Sequence, residues 1–419
     1  MKSIMIVVAV VFAATMFYGL GSIGINQIEK RNTQGLARIN GEEINAGKFN
    51  QFFSEIVKGK EDELTPQAIA FAQNMALNQM IDFSLLLSEA RRRNISLQDS
   101  EISRTVEEII TKNKLGSEAE LDRRLRSMGS SLDTFKDMIR EEMLVYKLLS
   151  RVRESVTLDN NDLREVEARH ILFMVSASAE AKIKDEVKVK ASKVLALAKA
   201  GQNFAKLAAT YSQDPGSASK GGSLGTFGTG MMVLEFEKAA FALRPGQISE
   251  LVETKYGYHI IKLESTKLRN SPDPSKPLKQ ALLDDKRETK VKELLDELRK
   301  NAKVEIENPQ LKAFDLRMKG DMKAAIATYN EAIKDNPTDG YLELFLGDTY
   351  RQQKEMGKAI VSYRKAVDIN AADPNFLLAL GNAYLDGVGT RIGTGEVLSQ
   401  AESRSLAIQN FRKAATVAG

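Results

Sequence analysis

Only two histidines occur in 419 residues, His170 in EARHILFMV (167–175) and His259 in YGYHIIKLE (256–264). Each precedes an alternating apolar run, so each ring belongs near the start of a strand and on one face of it. If the two strands are neighbours, the rings can face each other. A lone histidine is more often a satisfied structural or surface residue than a functional one, and the shared setting of these two argues against two separate accidents. Between them lies DPGSASKGGSLGTFGTG, with seven glycines or prolines in seventeen residues, a loop denser in turn formers than any other part of the chain. On inventory, three chemistries are open. His170, His259 and Asp214 form a loose triad for a metal but lack a fourth ligand at suitable spacing. Ser212 or Ser217 with a histidine could be a hydrolytic pair, but neither serine stands in a G-x-S-x-G elbow. A polar network that orients a substrate without covalent chemistry asks for no further residue.

ARHIL, followed by FAKLAATYSQDPGSASKGGSLGTFGTGMMVLEFEKAAFALRPGQISELVETKYGYHIIKLES, resembles a parvulin-type peptidyl-prolyl isomerase domain over about 96 residues, with the order of motifs kept throughout. The resemblance implies that the paired histidines of the family are His170 and His259 and that its central Cys-or-Asp position is Asp214. It also implies a proline pocket of Leu224, Met232 and Phe236 with Phe227 beside it. GGSLG carries Ser223 where many relatives have Asp, a departure that touches the loop more than the pocket. The implied reaction breaks no bond and needs no cofactor. Rotation about X-Pro crosses a barrier of about 18 to 20 kcal/mol set by amide resonance, and a catalyst has only to favour the twisted amide. An apolar socket can grip the ring and remove the water that stabilises the planar carbonyl, while His170, Asp214 and His259 supply a hydrogen-bonded floor.

The elements that must position these residues can be read outward from them. Residues 167 to 265 read as strand, helix, loop, helix, strand, and TKLRNSPDPSKPLKQ, with three prolines, reads as a linker. Upstream, LARINGEEINAGKFNQFF gives a strand, a tight turn at Asn40-Gly41 and an amphipathic helix. Further helix starts are marked at Pro66, at Asp99 or Ser100, at Ser117 with Glu120 in capping-box spacing, and at Ser131. The last helix turns Phe135, Met138, Ile139, Met143, Val145, Tyr146, Leu148 and Leu149 to one broad apolar face. ARINGEEI, LLLSEARRRNISL and TFKDMIREEMLVYKLL resemble the N-terminal chaperone domains of exported foldases of the SurA, PpiD and PrsA type. In those families a helix and strand after the isomerase complete the chaperone fold. LLDELRKNAKVEIEN occupies that place, and AKVEIE, marginal as a lone strand, has LARIN as an available partner.

The C-terminal part repeats. Ala325, Tyr329, Ala332 and Asn336 recur as Ala359, Tyr363, Ala366 and Asn370, an offset of 359 − 325 = 34, and Leu346, Gly347 and Tyr350 recur as Leu380, Gly381 and Tyr384 at the same offset. A period of 34 is the tetratricopeptide spacing. A third copy of the second helix, Ala407, Phe411 and Ala414, is displaced by 407 − 359 = 48, the surplus being the Gly-rich GVGTRIGTGEVLSQ insert.

The whole is expected to be a multidomain α+β chain. It comprises an N-terminal membrane helix or signal segment (1–28), a helical chaperone domain (34–166, completed by 279–307), an inserted parvulin-like domain (167–266) and a tetratricopeptide α-solenoid (308–419). The run Ile4 to Ile25 carries no charge over 22 residues, enough to span a bilayer core of about 30 Å; a cleaved signal, or a buried core helix, is the alternative. Either of the first two exports the bulk of the chain, the anchored form with that bulk on the periplasmic side. Absence of cysteine excludes disulfides and thiolate chemistry, and pI 8.8 with net charge +4 is too mild to argue for nucleic acid. The expected activity is isomerisation and chaperoning of unfolded or newly translocated proteins with X-Pro bonds, with a protein or peptide partner at the repeats. A membrane-tethered holdase or scaffold that only binds peptides is the non-enzymatic alternative, and a pure tetratricopeptide adaptor leaves the loop of residues 211–236 unexplained.

Overall fold

The computed structural model describes residues 35–44, 46–60, 64–127, 129–393, 395 and 397–418. The Ile4 to Ile25 run, and with it the expected membrane helix, lies outside them. Among the described residues no helix is long and apolar enough to cross a membrane. The chain divides into two compact units, one made of residues 1–149 with 294–419 and the other of 150–293. The seams expected at 166 and 279 fall within the second.

In the first unit, β1 (Ala37–Ile39) and β2 (Glu42–Glu43) are joined by Asn40 and Gly41. Both of these have positive φ, 52° and 88°, the handedness that a two-residue hairpin demands and that Asn-Gly provides most readily. Helix α1 (Ala46–Val57) follows, then α2 (Pro66–Arg92), which starts on a proline with Thr65 capping the Ala68 amide at 3.2 Å. Phe49 and Phe53 of α1 and Leu77, Met80 and Ile81 of α2 bury Ala37 and Ile39. Helices α3 (Asp99–Lys112), α4 (Glu118–Ser127) and α5 (Leu132–Glu154) enclose a second core of Val106, Leu121, Leu125, Phe135 and Ile139. The capping signals are used: Ser117 Oγ accepts the Glu120 amide at 3.2 Å, and Ser131 Oγ accepts that of Thr134 at 3.2 Å.

The second unit is built on an antiparallel sheet in the order β4-β3-β6-β5. Its strands are β3 (Arg164–Met174), β4 (Ser223–Phe227), β5 (Val252–Thr254) and β6 (Gly257–Leu268). Two helices, α6 (Ala181–Lys199) and α7 (Phe204–Tyr211), cover the face that carries Ile171, Phe173, Tyr258 and Ile260. Helix α8 (Leu234–Ala242) covers the opposite face with Val166, Ala168, Ile261 and Leu263. Three features depart from the sequence reading. The Gly-rich loop contains an edge strand, β4, and a second edge strand, β5, precedes His259; both are short and glycine-interrupted or polar, so they carry no period-2 signal. His170 lies inside β3 and not near its start, because Val166 and Ala168 already point inward between charged neighbours. Thr266 to Leu268, expected in the linker, extend β6 opposite Arg164 to Val166.

Helix α9 (Leu278–Asn301) then leads back to β7 (Val304–Ile306), which pairs antiparallel with β1, Ala37 opposite Ile306 and Ile39 opposite Val304. AKVEIE thus finds LARIN, and the sheet order is β2-β1-β7. Arg299 of α9 reaches Asp82 of α2 at 2.6 Å. Three helix pairs follow: α10 (Pro309–Met318) with α11 (Met322–Asp335), α12 (Gly340–Gln352) with α13 (Met356–Ile369), and α14 (Pro374–Asp386) with α15 (Gln400–Ala418). Their register has a steric cause. A Cβ on Gly347 would stand 2.5 Å from the Tyr363 ring, and one on Gly381 would stand 2.5 Å from that of Phe411. In the second and third pairs a glycine in the first helix thus admits the large ring of the second, and in the first pair Ala313 stands at that position.

Candidate active site

Strand pairing brings the two histidines together. In β3 and β6, Leu172 lies opposite His259 and His170 opposite Ile261, so the histidines are diagonal neighbours on one face, within reach of each other's side chains. That face is the one under α8. The rings stack at 5.4 Å between centroids and 20° between planes, with Nδ1 of one 3.2 Å from Nδ1 of the other. Phe236, from α8, meets both rings edge-on, at 5.6 Å and 83° for His170 and 5.3 Å and 78° for His259. Phe227 at the end of β4 stands 6.2 Å behind Phe236 and is buried, while Leu224 and Met232 are half-buried against the same cluster. Six of the seven residues named from the sequence therefore belong to one side of one sheet.

Asp214 enters from the loop after α7. Its carboxylate lies 2.8 Å from His170 Nε2 and also accepts the Ser217 hydroxyl; Ser217 Oγ is itself 3.0 Å from His170 Nε2. At the far end, His259 Nε2 is 2.9 Å from the Thr254 hydroxyl. The loop is held close by Gly222, whose carbonyl accepts the His170 amide at 2.8 Å. With φ at 77°, Gly222 passes so near the strand that a Cβ there would sit 2.3 Å from the His170 carbonyl oxygen. Only glycine fits this approach.

These bonds fix the tautomers. Burial resists ionisation of Asp214, but the bonds from Ser217, His170 and the Gly216 amide outweigh it and bring the carboxyl down to about 2. An ionised carboxylate only accepts, so His170 Nε2 donates to it, and a His170 ring whose single proton sits there accepts at Nδ1. His259 must then donate from Nδ1, leaving its Nε2 to accept from Thr254. Burial, then the neighbouring His170, push His259 down to about 4 in spite of Asp214, so it is neutral at pH 7. One direction of donation thus runs from Thr254 through His259 and His170 to Asp214. Ser217, at 2% exposure, is committed to that chain, and Ser212, the other serine considered from the sequence, accepts the Leu172 amide at 3.1 Å and has no hydrogen bond to either histidine. Thr254 went unnoticed in the sequence because the β5–β6 hairpin, and no spacing rule, brings it to His259.

The sheet, the histidine pair and the loop of residues 211–236 define a parvulin-type domain, and residues 148–267 match the family model described as PPIC-type PPIASE domain. Residues 1–149 match a SurA-like N-terminal domain, and residues 347–387 match a TPR repeat. Foldase protein PrsA of Caldanaerobacter subterraneus subsp. tengcongensis is 30% identical over 319 residues, 70% of this chain and 94% of that protein. Foldase protein PrsA of a Geobacillus species is 33% identical over 262 residues, 61% of this chain and 89% of the relative. A crystal structure of peptidylprolyl isomerase PrsA from Bacillus cereus is 26% identical, with 68% of this chain and 97% of that one covered, at a TM-score of 0.29. The chain belongs to the PrsA foldase family. It is a peptidyl-prolyl cis-trans isomerase and chaperone that acts on unfolded proteins, and it bears C-terminal tetratricopeptide repeats.

Proposed function

We propose that the prolyl ring of an X-Pro bond sits against Leu224, Met232 and Phe236, backed by Phe227, over a polar floor of His170, Asp214 and His259. The observation that carries this reading is the stacked histidine pair, 3.2 Å apart at Nδ1, beneath the edge of one phenylalanine. The planar amide places more negative charge on its carbonyl oxygen than the twisted one does. Excluding water beside an anionic Asp214 therefore raises the planar state relative to the twisted one and lowers the barrier between them. None of the three polar residues forms a covalent bond. The test is exchange NMR on an Ala-Pro peptide. With His259→Ala, turnover is expected to fall about tenfold or more while peptide affinity changes little, the signature of an interaction used in the transition state. Unchanged turnover would remove His259 from the mechanism.

The same reading extends to the rest of the chain. The isomerase is assigned to 167–266, the chaperone domain to 34–166 closed by 279–307, and the repeats to 308–419. Supporting the closure are the β1–β7 pairing and the Arg299–Asp82 pair. Deleting 279–307 exposes an unpaired edge on β1, and the helical domain is expected to lose its thermal transition by circular dichroism; a transition like that of the full chain sinks the closure. The charge-free run Ile4 to Ile25 is assigned as a single-pass membrane anchor with the bulk of the chain on the periplasmic side, or else as a cleaved signal. In that location the clients are newly translocated proteins, whose folding prolyl isomerisation limits.

A further inference from the structure

The first helices of the three repeats, α10, α12 and α14, stand side by side. Phe314 meets Phe345 at 6.3 Å, Tyr341 meets Phe376 at 4.8 Å, and Arg351 reaches Asp386 at 2.9 Å. The beginning of the chaperone helix α2 lies on this row. Gln67 Nε2 donates to Asp348 Oδ2 at 3.2 Å, Asn74 Nδ2 donates to Asp315 Oδ1 at 3.3 Å, and Ala70 shares the buried core of the repeats with Leu344. Two of the three first helices are therefore occupied by the protein's own chain.

The third is not. In the 34-residue register Leu344, Asp348 and Arg351 correspond to Leu378, Asn382 and Leu385 (378 − 344 = 34). Leu344 is 0% exposed where α2 packs, whereas Leu378 is 44% and Leu385 45% exposed, with Val388 also open beside them. Asn382, exposed between the two leucines, keeps the hydrogen-bonding capacity that Asp348 spends on Gln67. Beyond Gln67, one and two turns along α2, Phe71 and Met75 are exposed as well. What covers this position one repeat earlier is a helical turn with a small apolar residue and an amide side chain. The repeat thus states the chemistry of the missing cover.

We propose that the exposed face of α14 is a client-binding surface that continues the chaperone domain, and that its occupant is an apolar segment of a non-native polypeptide, laid across Leu378 and Leu385 as α2 lies across Leu344. The tetratricopeptide tail then extends the area over which the foldase holds unfolded chain. This rests on the chaperone activity and is independent of the assignment of the isomerase site.

The test uses the full chain and permanently unfolded, reduced and carboxymethylated α-lactalbumin. Leu378→Asp with Leu385→Asp is expected to weaken binding of that probe about tenfold or more, since each leucine loses an apolar partner, while turnover of an Ala-Pro peptide stays at the wild-type value. Leu378→Ser with Leu385→Ser removes the same contacts without charge and gives the same loss should the aspartate pair lower the melting temperature. p-Benzoylphenylalanine in place of Leu385 is expected to crosslink to the probe. Wild-type affinity in both pairs, crosslinks only to a second copy of the chain, or a preference for acidic peptides over the unfolded probe overturns the proposal. Failure of isomerisation in the unmodified chain would instead count against the site beneath Phe236.

Discussion

Replacing Phe236 by Ala is expected to lower kcat/KM for an Ala-Pro peptide about a hundredfold and to destabilise the isomerase unit by about 3 to 5 kcal/mol. Three observations make this residue the most sensitive. It is 3% exposed, its edge meets both histidine rings, and it packs on Phe227. Truncation therefore removes the wall of the proposed proline notch, leaves a cavity and admits water to the histidine pair. Loss of the wall weakens binding and loss of dryness slows rotation, so KM and kcat should both suffer. Phe236→Leu separates the two effects. It restores most of the buried volume, so the melting temperature should largely recover, but it lacks the aromatic edge over the imidazoles, so turnover should remain low. Peptide exchange NMR and thermal melts of both variants check the result. A Phe236→Ala chain that turns over peptide as the parent does would remove the notch from the mechanism.

Acidification is expected to destabilise the isomerase unit in two stages. His259 binds its proton with a pKa of about 4 in the folded state, well below its ordinary value, because burial and His170 oppose the charge. The unfolded chain therefore takes up the proton first as pH falls. Stability from the neutral, buried His259 is complete above about pH 6.5 and is lost as pH drops towards 4, by about 3 kcal/mol. Asp214 behaves likewise lower down: its folded value of about 2 is depressed, so the stability it supplies is present above its unfolded value and lost as pH falls through 2. His259→Gln, which keeps a hydrogen-bonding side chain without a titrating ring, should flatten the limb between pH 6.5 and 4 and leave the lower one intact. Urea unfolding midpoints across pH 2 to 8 measure this. An unchanged upper limb in His259→Gln would show that His259 is not buried in the neutral form.

Much of the architecture is legible in the sequence because it rests on local rules. The Asn40-Gly41 turn follows from handedness, the starts at Ser117 and Ser131 from capping, and the repeats from a glycine that makes room for an aromatic ring at a fixed offset. The edge strands β4 and β5 were not legible. Glycines interrupt one and the other spans three residues, so neither carries a periodic signal, and only pairing with β3 and β6 makes them strands.

By itself the sequence determined which side chains could meet. A period of two along each of two strands commits His170 and His259 to single faces, and the composition of the loop between them limits what can stand beside them. Which nitrogen carries each proton was decided only in three dimensions, since the answer depends on Asp214 and Ser217 arriving from a loop and Thr254 from a hairpin. The same holds for the repeats. Their period is written in the chain, but only the packing of α2 shows that, among the described residues, two first helices are covered and one is open, because a contact between residues more than two hundred positions apart has no local pattern to announce it.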